Sequence, residues 1–349
     1  MKTRKDFYES LIDRMLGILW RQWSAAGVYA SVEPCRRSVI DPEALIVATT
    51  ILGRFDPRLF DESLDWLSRN FELINLTRLR RIAGKTKGSP QILAACAHVL
   101  DDKKAVSDKR MARLVAVGKP RKKKEYFFRS PGASSDSEGV VRKADDSFAR
   151  FGFLRGEVRL RGYSKEPDYT LASNGIFCMR KLFGVNPRAD AMAYLVWKGP
   201  GNPNKIASDI SLTQKGVSRV LDSMRAVQTV ESRGDGYQSS YMTDRDLWTN
   251  LLGVERDGPR PRYFVWREIY GALCLAIEDW WDYRSHYDEP NSRVVRQRDI
   301  TPDIILGLRK GGLEEVKLPD VHKMGAAYME EFEGSLEATV SWLEEFTLY

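Results

Sequence analysis

The sequence predicts a mainly α-helical protein with a helical N-terminal domain, a central unit of three helices and a small β-hairpin, and a helical C-terminal region. Apolar residues recur every three or four positions through most of the chain, which is the period of a helix packed on one side. Two of these segments begin with Asp followed by Pro, a typical helix start. One segment instead shows two short strand patterns separated by glycines, which predicts the hairpin.

The composition is that of a globular protein. The 349 residues include 55 Lys and Arg against 48 Asp and Glu, a net charge of +7, and 43% of the residues are hydrophobic. These values predict about two or three domains and exclude a disordered chain. The longest uncharged apolar stretch, residues 44–53, is far shorter than the ~18 residues of a membrane span, and Asp13 and Arg14 interrupt any signal-peptide core. We therefore expect a cytoplasmic protein without a membrane partner.

Residues 1–117 form the predicted N-terminal helical domain. An Asp that caps the first turn and a Pro at the first helical position favour helix starts at Asp41-Pro42 and Asp56-Pro57. Helices are predicted at 4–26, 42–53, 57–67, 76–82 and 90–100. None of these segments has a spacing typical of a catalytic site.

Residues 118–172 are predicted to be a basic linker with extended segments. Residues 101–165 contain 18 Lys and Arg against 9 Asp and Glu, so the positive charge of the protein is concentrated here. The densest cluster contains Lys119, Arg121, Lys122, Lys123 and Lys124. It could contact phosphates of a nucleic acid, because Lys and Arg release condensed counterions; the alternative is a solvated, mobile linker that continues through a turn-rich stretch at 130–139. Residues 148–163 are expected to be extended.

Residues 173–250 are the most informative part of the chain. Helical patterns at 188–197, 204–210 and 214–224 are followed by two short strand patterns, 229–233 and 237–242, joined by a loop with two glycines. The three-residue turn 211–213 is typical of a helix-turn-helix, and Thr213 is the expected cap of the third helix. This order of elements is that of a winged helix.

The third helix has two chemically different sides. Val217, Leu221 and Met224 recur at helical spacing and are expected to face the core. The opposite side would then present polar residues that can reach base edges and phosphates in the major groove of DNA. The predicted DNA-binding residues, including two on the hairpin, are Thr213, Gln214, Lys215, Ser218, Arg219, Arg233 and Tyr237.

Residues 204–221, Asn-Lys-Ile-Ala-Ser-Asp-Ile-Ser-Leu-Thr-Gln-Lys-Gly-Val-Ser-Arg-Val-Leu, resemble the winged helix-turn-helix transcription regulators of the MarR and ArsR type. The likeness covers residues 187–247, roughly a sixth of the chain. It implies that the helix from Gln214 is a recognition helix and that residues 233–237 are the tip of the wing. The long helical flanks depart from these compact regulators.

Residues 251–349 are predicted to form a helical region with an acidic last helix. Residues 262–283 are dense in aromatics, and the carboxylates Glu278, Asp279 and Asp282 are interpreted as the solvated end of a core helix. Residues 319–346 carry a long apolar stripe, which needs a cover. The stripe consists of Val321, Met324, Tyr328, Phe332, Leu336, Val340, Leu343 and Phe346. A homodimer assembled partly through this helix is predicted, and packing on the aromatic helix within the same chain is the alternative.

No motif for an enzyme is found. The four cysteines and three histidines are scattered without a metal-binding spacing, and no phosphate-binding loop, nucleophile elbow or dinucleotide fingerprint occurs. We therefore expect no catalysis, metal or cofactor. The sequence predicts a transcriptional regulator that binds double-stranded DNA sequence-specifically. The alternative is a protein-interaction module, such as the antitoxin or adaptor half of a two-protein system, with the partner held on the helical flanks.

Overall fold

The computed structural model describes residues 4–106, 109–130, 141, 143–234, 239–254, 260–284, 290–314, 319 and 322–348. The protein is mainly α-helical, as predicted. The helices are α1 (Arg4–Ala25), α2 (Pro42–Leu52), α3 (Pro57–Asn70), α4 (Leu76–Ala83), α5 (Ser89–Asp102), α6 (Met111–Val115), α7 (Asp146–Arg150), α8 (Gly175–Phe183), α9 (Pro187–Trp197), α10 (Pro203–Asp209), α11 (Gln214–Ala226), α12 (Arg245–Leu252), α13 (Trp266–Tyr283), α14 (Pro290–Gly311) and α15 (Gly325–Leu348). The strands are β1 (Glu125–Tyr126), β2 (Phe153–Leu154), β3 (Glu231–Arg233) and β4 (Ser240–Met242). Over the described ranges, no helix combines the length and the apolar character needed to cross a membrane.

The two predicted helix starts are confirmed. The side chain of Asp41 accepts a hydrogen bond from the Ala44 backbone N at 3.1 Å, and that of Asp56 accepts one from Leu59 N at 3.0 Å. In both helices Pro occupies the first turn, where its missing N–H is not needed. Helix α2 is buried along its whole length, because α1, α4 and α13 pack around it.

Both ends of the chain contribute to one large hydrophobic core. Helix α1 packs against α15, α2 packs against α13, and α13 packs against α14. Trp23, Trp66 and Trp266 are among its fully buried side chains. The predicted N-terminal and C-terminal regions therefore share a core, and the division of the chain into four domains stays a prediction.

The apolar stripe of the last helix is covered within the chain. Tyr328, Phe332, Leu336, Val340 and Leu343 are buried in the large core, and α1 and α14 supply the main cover of α15. Met324, just before the helix, is 77% exposed, Phe346 is partly buried, and Val321 lies outside the described residues. Packing within the same chain is observed, but α15 packs on α1 and α14, so the alternative that named the aromatic helix as its cover is wrong about the partner. The surface on which the predicted homodimer was based is therefore occupied by the chain itself.

The described part of residues 118–172 packs into the large core, which corrects the interpretation as a mobile linker. Strand β1 pairs in parallel with β2, and Phe127, Phe148 and Phe153 are buried. Arg155 is only 3% exposed, because its guanidinium lies among phenylalanine rings and pairs with Asp61 at 2.7 Å. The extended structure expected at 148–163 is interrupted at its start by α7, and the turn-rich stretch at 130–139 lies outside the described residues from 131 onward.

A second, smaller core lies between α8, α9, α10, α11, α12 and the β3–β4 hairpin. It includes Ile206, Val217, Leu221 and Trp248. Val39 and Tyr263, from outside residues 173–250, also belong to it. The segments that flank the predicted winged helix therefore complete its core.

A network of buried charges joins the two cores. Arg180 on α8 donates to Glu43 at 2.7 Å and to Asp190 at 2.8 Å, while Arg78 on α4 donates to Asp41 at 2.6 Å. Burial opposes ionisation of Asp41, yet attraction by the Arg78 guanidinium lowers the pKa of that carboxyl below its ordinary value. Removing one partner would leave a buried charge uncompensated, so the network fixes the small core on the large one.

Candidate nucleic-acid interface

Three successive helices of the small core, α9, α10 and α11, each begin at a side-chain cap. The caps are Asn186, Asn202 and Thr213. The hydroxyl of Thr213 accepts a hydrogen bond from Gly216 N at 3.3 Å, so the predicted cap of α11 is observed. Ser211, in the turn before it, has a φ of 56°, a left-handed conformation that allows the chain to reverse tightly.

One side of α11 is buried, as predicted. Val217 and Leu221 have no exposed surface and Met224 is 3% exposed, and all three belong to the small core with Ile206 and Ile210. These apolar contacts fix the rotation of α11 about its axis. Its opposite side must therefore face outward.

The outward side of α11 carries the residues predicted to bind DNA. Thr213, Gln214, Lys215 and Arg219 are exposed, and Ser218 is half-buried. Lys215 and Arg219 are four residues apart, so they lie one above the other on the helix. Neither of them takes part in an ion pair within the described part of the chain, so both charges are available to an external anion.

The β3–β4 hairpin follows α11. Its two strands are antiparallel, with Ser232 opposite Tyr241. Arg233, the last residue of β3, is exposed, and Gly234 after it has a φ of 88°, which favours glycine at the start of the hairpin loop. Tyr237, the other hairpin residue predicted to contact DNA, lies outside the described residues.

Side-chain contacts hold the hairpin against α11. The Tyr241 hydroxyl donates to Asp222 at 2.8 Å, and Arg225 donates to the Ser232 hydroxyl at 3.3 Å. Burial, followed by the bond to the Asp222 carboxylate, raises the pKa of Tyr241. Gly201, before α10, exchanges backbone hydrogen bonds of 2.9 and 3.1 Å with Tyr241. Sequence reasoning missed Arg225 and Tyr241, because no local pattern shows which distant side chain each would meet.

A cleft of about 340 Å³ lies between the start of α10, the outer side of α11 and strand β4. Amide, hydroxyl and guanidinium groups line it, together with one carboxylate, which accepts a hydrogen bond from Tyr241 and pairs with Arg225. The lining includes Asn204, Gln214, Ser218, Asp222, Arg225 and Tyr241. Such donors suit a polar ligand rather than an apolar one.

The basic segment belongs to another part of the molecule. Lys119, Arg121, Lys122, Lys123 and Lys124 are all exposed, as a phosphate-contacting arm requires. Their backbone is anchored, since Arg121 N donates to Arg150 O at 3.2 Å and Glu125 N donates to Gly152 O at 2.9 Å. The segment thus lies beside α7 and β2, whereas α11 packs on α9 and α10.

The carboxylates of the aromatic helix pair with basic side chains, and Asp282 accepts from Lys87 at 2.7 Å. Glu278 on α13 pairs with Arg129, and Asp279 accepts from Arg296 at 3.0 Å. Asp279 is only 6% exposed, so the interpretation as a solvated helix end is wrong for this residue. Within the described ranges, no three His, Cys, Asp or Glu residues are grouped as a metal ion would require.

A scan of the chain against models of protein families found no match, and neither a search of curated proteins nor one of solved structures found a match.

Proposed function

We propose that this protein is a transcriptional regulator that binds double-stranded DNA through a winged helix formed by α9, α10, α11 and the β3–β4 hairpin. The observation that carries the proposal is the two-sided character of α11. Its apolar side is locked in the small core, while Lys215 and Arg219 project outward without ion-pair partners among the described residues. A helix presented in this way can enter the major groove.

The chemistry of the exposed side fits DNA. The guanidinium of Arg219 can pair with the O6 and N7 atoms of guanine, and the amide of Gln214 can pair with adenine. Thr213 and Ser218 add hydroxyl groups for phosphate or base contacts. Arg233 is exposed on the hairpin, and under this proposal it contacts the DNA backbone beside the groove. Binding of this kind regulates transcription by occupancy of an operator.

The basic segment is proposed as a second, sequence-independent contact. Its five cations are exposed on a backbone anchored to the large core, so binding a phosphate does not first require the segment to be ordered. Counterion release makes such contacts strongly dependent on salt.

A titration of the full chain against fragments of genomic DNA, at several salt concentrations, tests the function. The proposal predicts that a subset of fragments is bound far more tightly than the rest, and that the logarithm of affinity falls linearly with the logarithm of salt concentration. Equal affinity for all fragments would contradict a sequence-specific regulator. Absence of any salt-dependent binding would contradict DNA binding altogether.

The second candidate function is a protein-interaction module, such as an antitoxin or adaptor. The observation that favours it is a pair of exposed leucines on α12, Leu247 at 60% and Leu251 at 67% exposure. They lie four residues apart, so they form one apolar strip on a helix that packs against α9. Purification from the native host separates the two functions. A stoichiometric protein partner that a Leu247→Asp/Leu251→Asp variant fails to retain, with no DNA retained by either form, favours the interaction module.

A further inference from the structure

Three arginines from outside the predicted winged helix hold the turn between α10 and α11. Arg78 on α4 donates from Nε to the carbonyl of Ile210 at 2.7 Å, and Arg81 on the same helix donates to that of Ser211 at 3.0 Å. Arg267 on α13 donates to the carbonyl of Ser208 at 2.7 Å. Helices α4 and α13 both contribute to the large core. Their arginines therefore connect the large core to the turn between α10 and α11.

Two of the three carbonyls, those of Ile210 and Ser211, have no backbone partner among the described residues, whereas that of Ser208 also accepts from Ser211 N at 3.2 Å. Ser208, Ile210 and Ser211 lie at the C-terminal end of α10, where carbonyl groups lack the next turn of N–H donors. Guanidinium donors make stronger hydrogen bonds than neutral donors. Their positive charge is also attracted to the partial negative charge at the C-terminal end of the helix. The turn thereby gains partners that the helix-turn-helix itself does not provide.

Two of the three arginines, Arg78 and Arg267, are themselves held in place by carboxylates. Arg78 is buried in the charge network with Asp41 and Glu43, and its remaining nitrogens are committed to those carboxylates. The Arg267 side chain is only 10% exposed and pairs with Glu268 at 2.7 Å. Because these donors cannot swing freely, the carbonyls that they bind cannot move without breaking the contacts.

We infer that Arg81 and Arg267 are positioning residues, which fix the turn between α10 and α11 on the helical body and so set the orientation in which α11 is presented to DNA. This inference rests on the proposed function for its second half only. Neither residue lies on α11, and their role is to hold the backbone ahead of it. Arg78 contributes to the same grip but is excluded from the test, because its removal would also break the buried network.

The test compares the wild-type chain with an Arg81→Ala/Arg267→Ala variant by amide hydrogen exchange and by DNA titration. The backbone N–H groups of Ile210, Ser211 and Leu212 are hydrogen-bonded within the turn, so their exchange reports its opening. We expect exchange in residues 207–216 to become at least about tenfold faster in the variant, while exchange in α1 and α2 is unchanged. DNA affinity is expected to fall about tenfold at constant salt concentration.

An Arg80→Ala/Lys85→Ala variant is the matched control, because it removes two exposed positive charges on and next to α4. It is expected to leave exchange in the turn unchanged. An Arg81→Lys/Arg267→Lys variant keeps the charge and one donor at each site, and should restore part of the protection if the double alanine variant folds poorly.

Unchanged exchange in residues 207–216 of the double alanine variant would overturn the inference, whatever happens to DNA binding. Faster exchange with unaltered DNA affinity would overturn the orienting role. If the wild-type chain binds no DNA, the proposed function fails, whereas the exchange measurement still decides whether the two arginines hold the turn.

Discussion

At the scale of single residues, substitutions on the buried and exposed sides of α11 are expected to change the free energy of unfolding by different amounts. Leu221 is fully buried in the small core. Truncating it to Ala leaves a cavity, so Leu221→Ala should lower the free energy of unfolding by about 2–5 kcal/mol, measured by urea denaturation. Ser223→Ala, an exposed change on the same helix, is the control and should shift it by less than about 0.5 kcal/mol. Equal effects of the two changes would show that α11 is rotated differently.

Asp41 gives the buried network a dependence on pH. Its pKa in the folded protein lies below the ordinary value of 3.8, because pairing with Arg78 outweighs the effect of burial. Its stabilising contribution is therefore present above the unfolded pKa and is lost as pH falls through the folded value. The free energy of unfolding of the wild type should decline below about pH 4. The Asp41→Asn variant should have a lower free energy of unfolding at pH 6, and that free energy should decline less as the pH falls.

Urea denaturation at successive pH values between 6 and 3 provides the comparison. Burial raises the pKa of Asp61 and of Glu62, so these carboxyls contribute with the opposite sign in both proteins and cancel in the difference. A decline of the same size in Asp41→Asn would show that this carboxyl does not carry the effect.

At the scale of elements, the apolar stripe of α15 is buried within the chain. Leu336 is 2% exposed between α1 and α14. Leu336→Asp buries an unpaired charge, so it should destabilise the large core that α15 shares with α1 and α14, seen as a decrease in helical circular dichroism. If the stripe were a dimer interface instead, the variant would sediment as a folded monomer at half the mass of the wild type. Glu337→Ala, exposed on the same helix, should leave both readouts unchanged.

The basic segment has its own prediction. A Lys122→Ala/Lys123→Ala/Lys124→Ala variant should weaken binding of all DNA fragments equally, because phosphates carry no sequence information. It should also reduce the slope of log affinity against log salt concentration, because fewer phosphates are contacted. Folding should be unaffected, since these side chains are exposed. A change in which fragments are preferred would contradict a pure phosphate contact.

Local signals made the elements predictable. A cap, a following Pro and an apolar spacing lie within a few residues of one another, so the starts of α2 and α3 could be read directly, and Thr213 marked the start of α11 in the same way. The buried charge network could not be predicted from local signals. Arg180 and Glu43 are 137 residues apart in sequence, and each looks like an ordinary surface charge. The same limit hid Arg81 and Arg267, which contact residues 130 and 59 positions away. From the sequence alone, residues 118–172 resemble a linker because many charged residues separate the phenylalanines, so the sequence shows no regular apolar pattern there.

At the scale of the whole molecule, two cores and the polar contacts between them define the protein. The large core draws on both chain ends, and the small core presents α11. Buried ion pairs and the hydrogen bonds from arginines to the turn between α10 and α11 join the two cores. Helix α11 is therefore supported by a body much larger than α10, the turn and α11 themselves. Under the proposed function, this body is the frame that presents α11 to DNA.

The proposed function depends most on DNA binding by the outward side of α11. The most direct measurement is a salt-dependent titration of a Lys215→Ala/Arg219→Ala variant against the fragments that the wild type prefers, with Arg69→Ala/Arg113→Ala, two exposed cations on α3 and α6, as the control. The proposed function predicts an unchanged melting temperature, affinity weakened by about 1–3 kcal/mol for each side chain that pairs with a base, and a control that binds like the wild type. Normal folding with unaltered affinity and salt slope would contradict it, and the protein-interaction module would take its place.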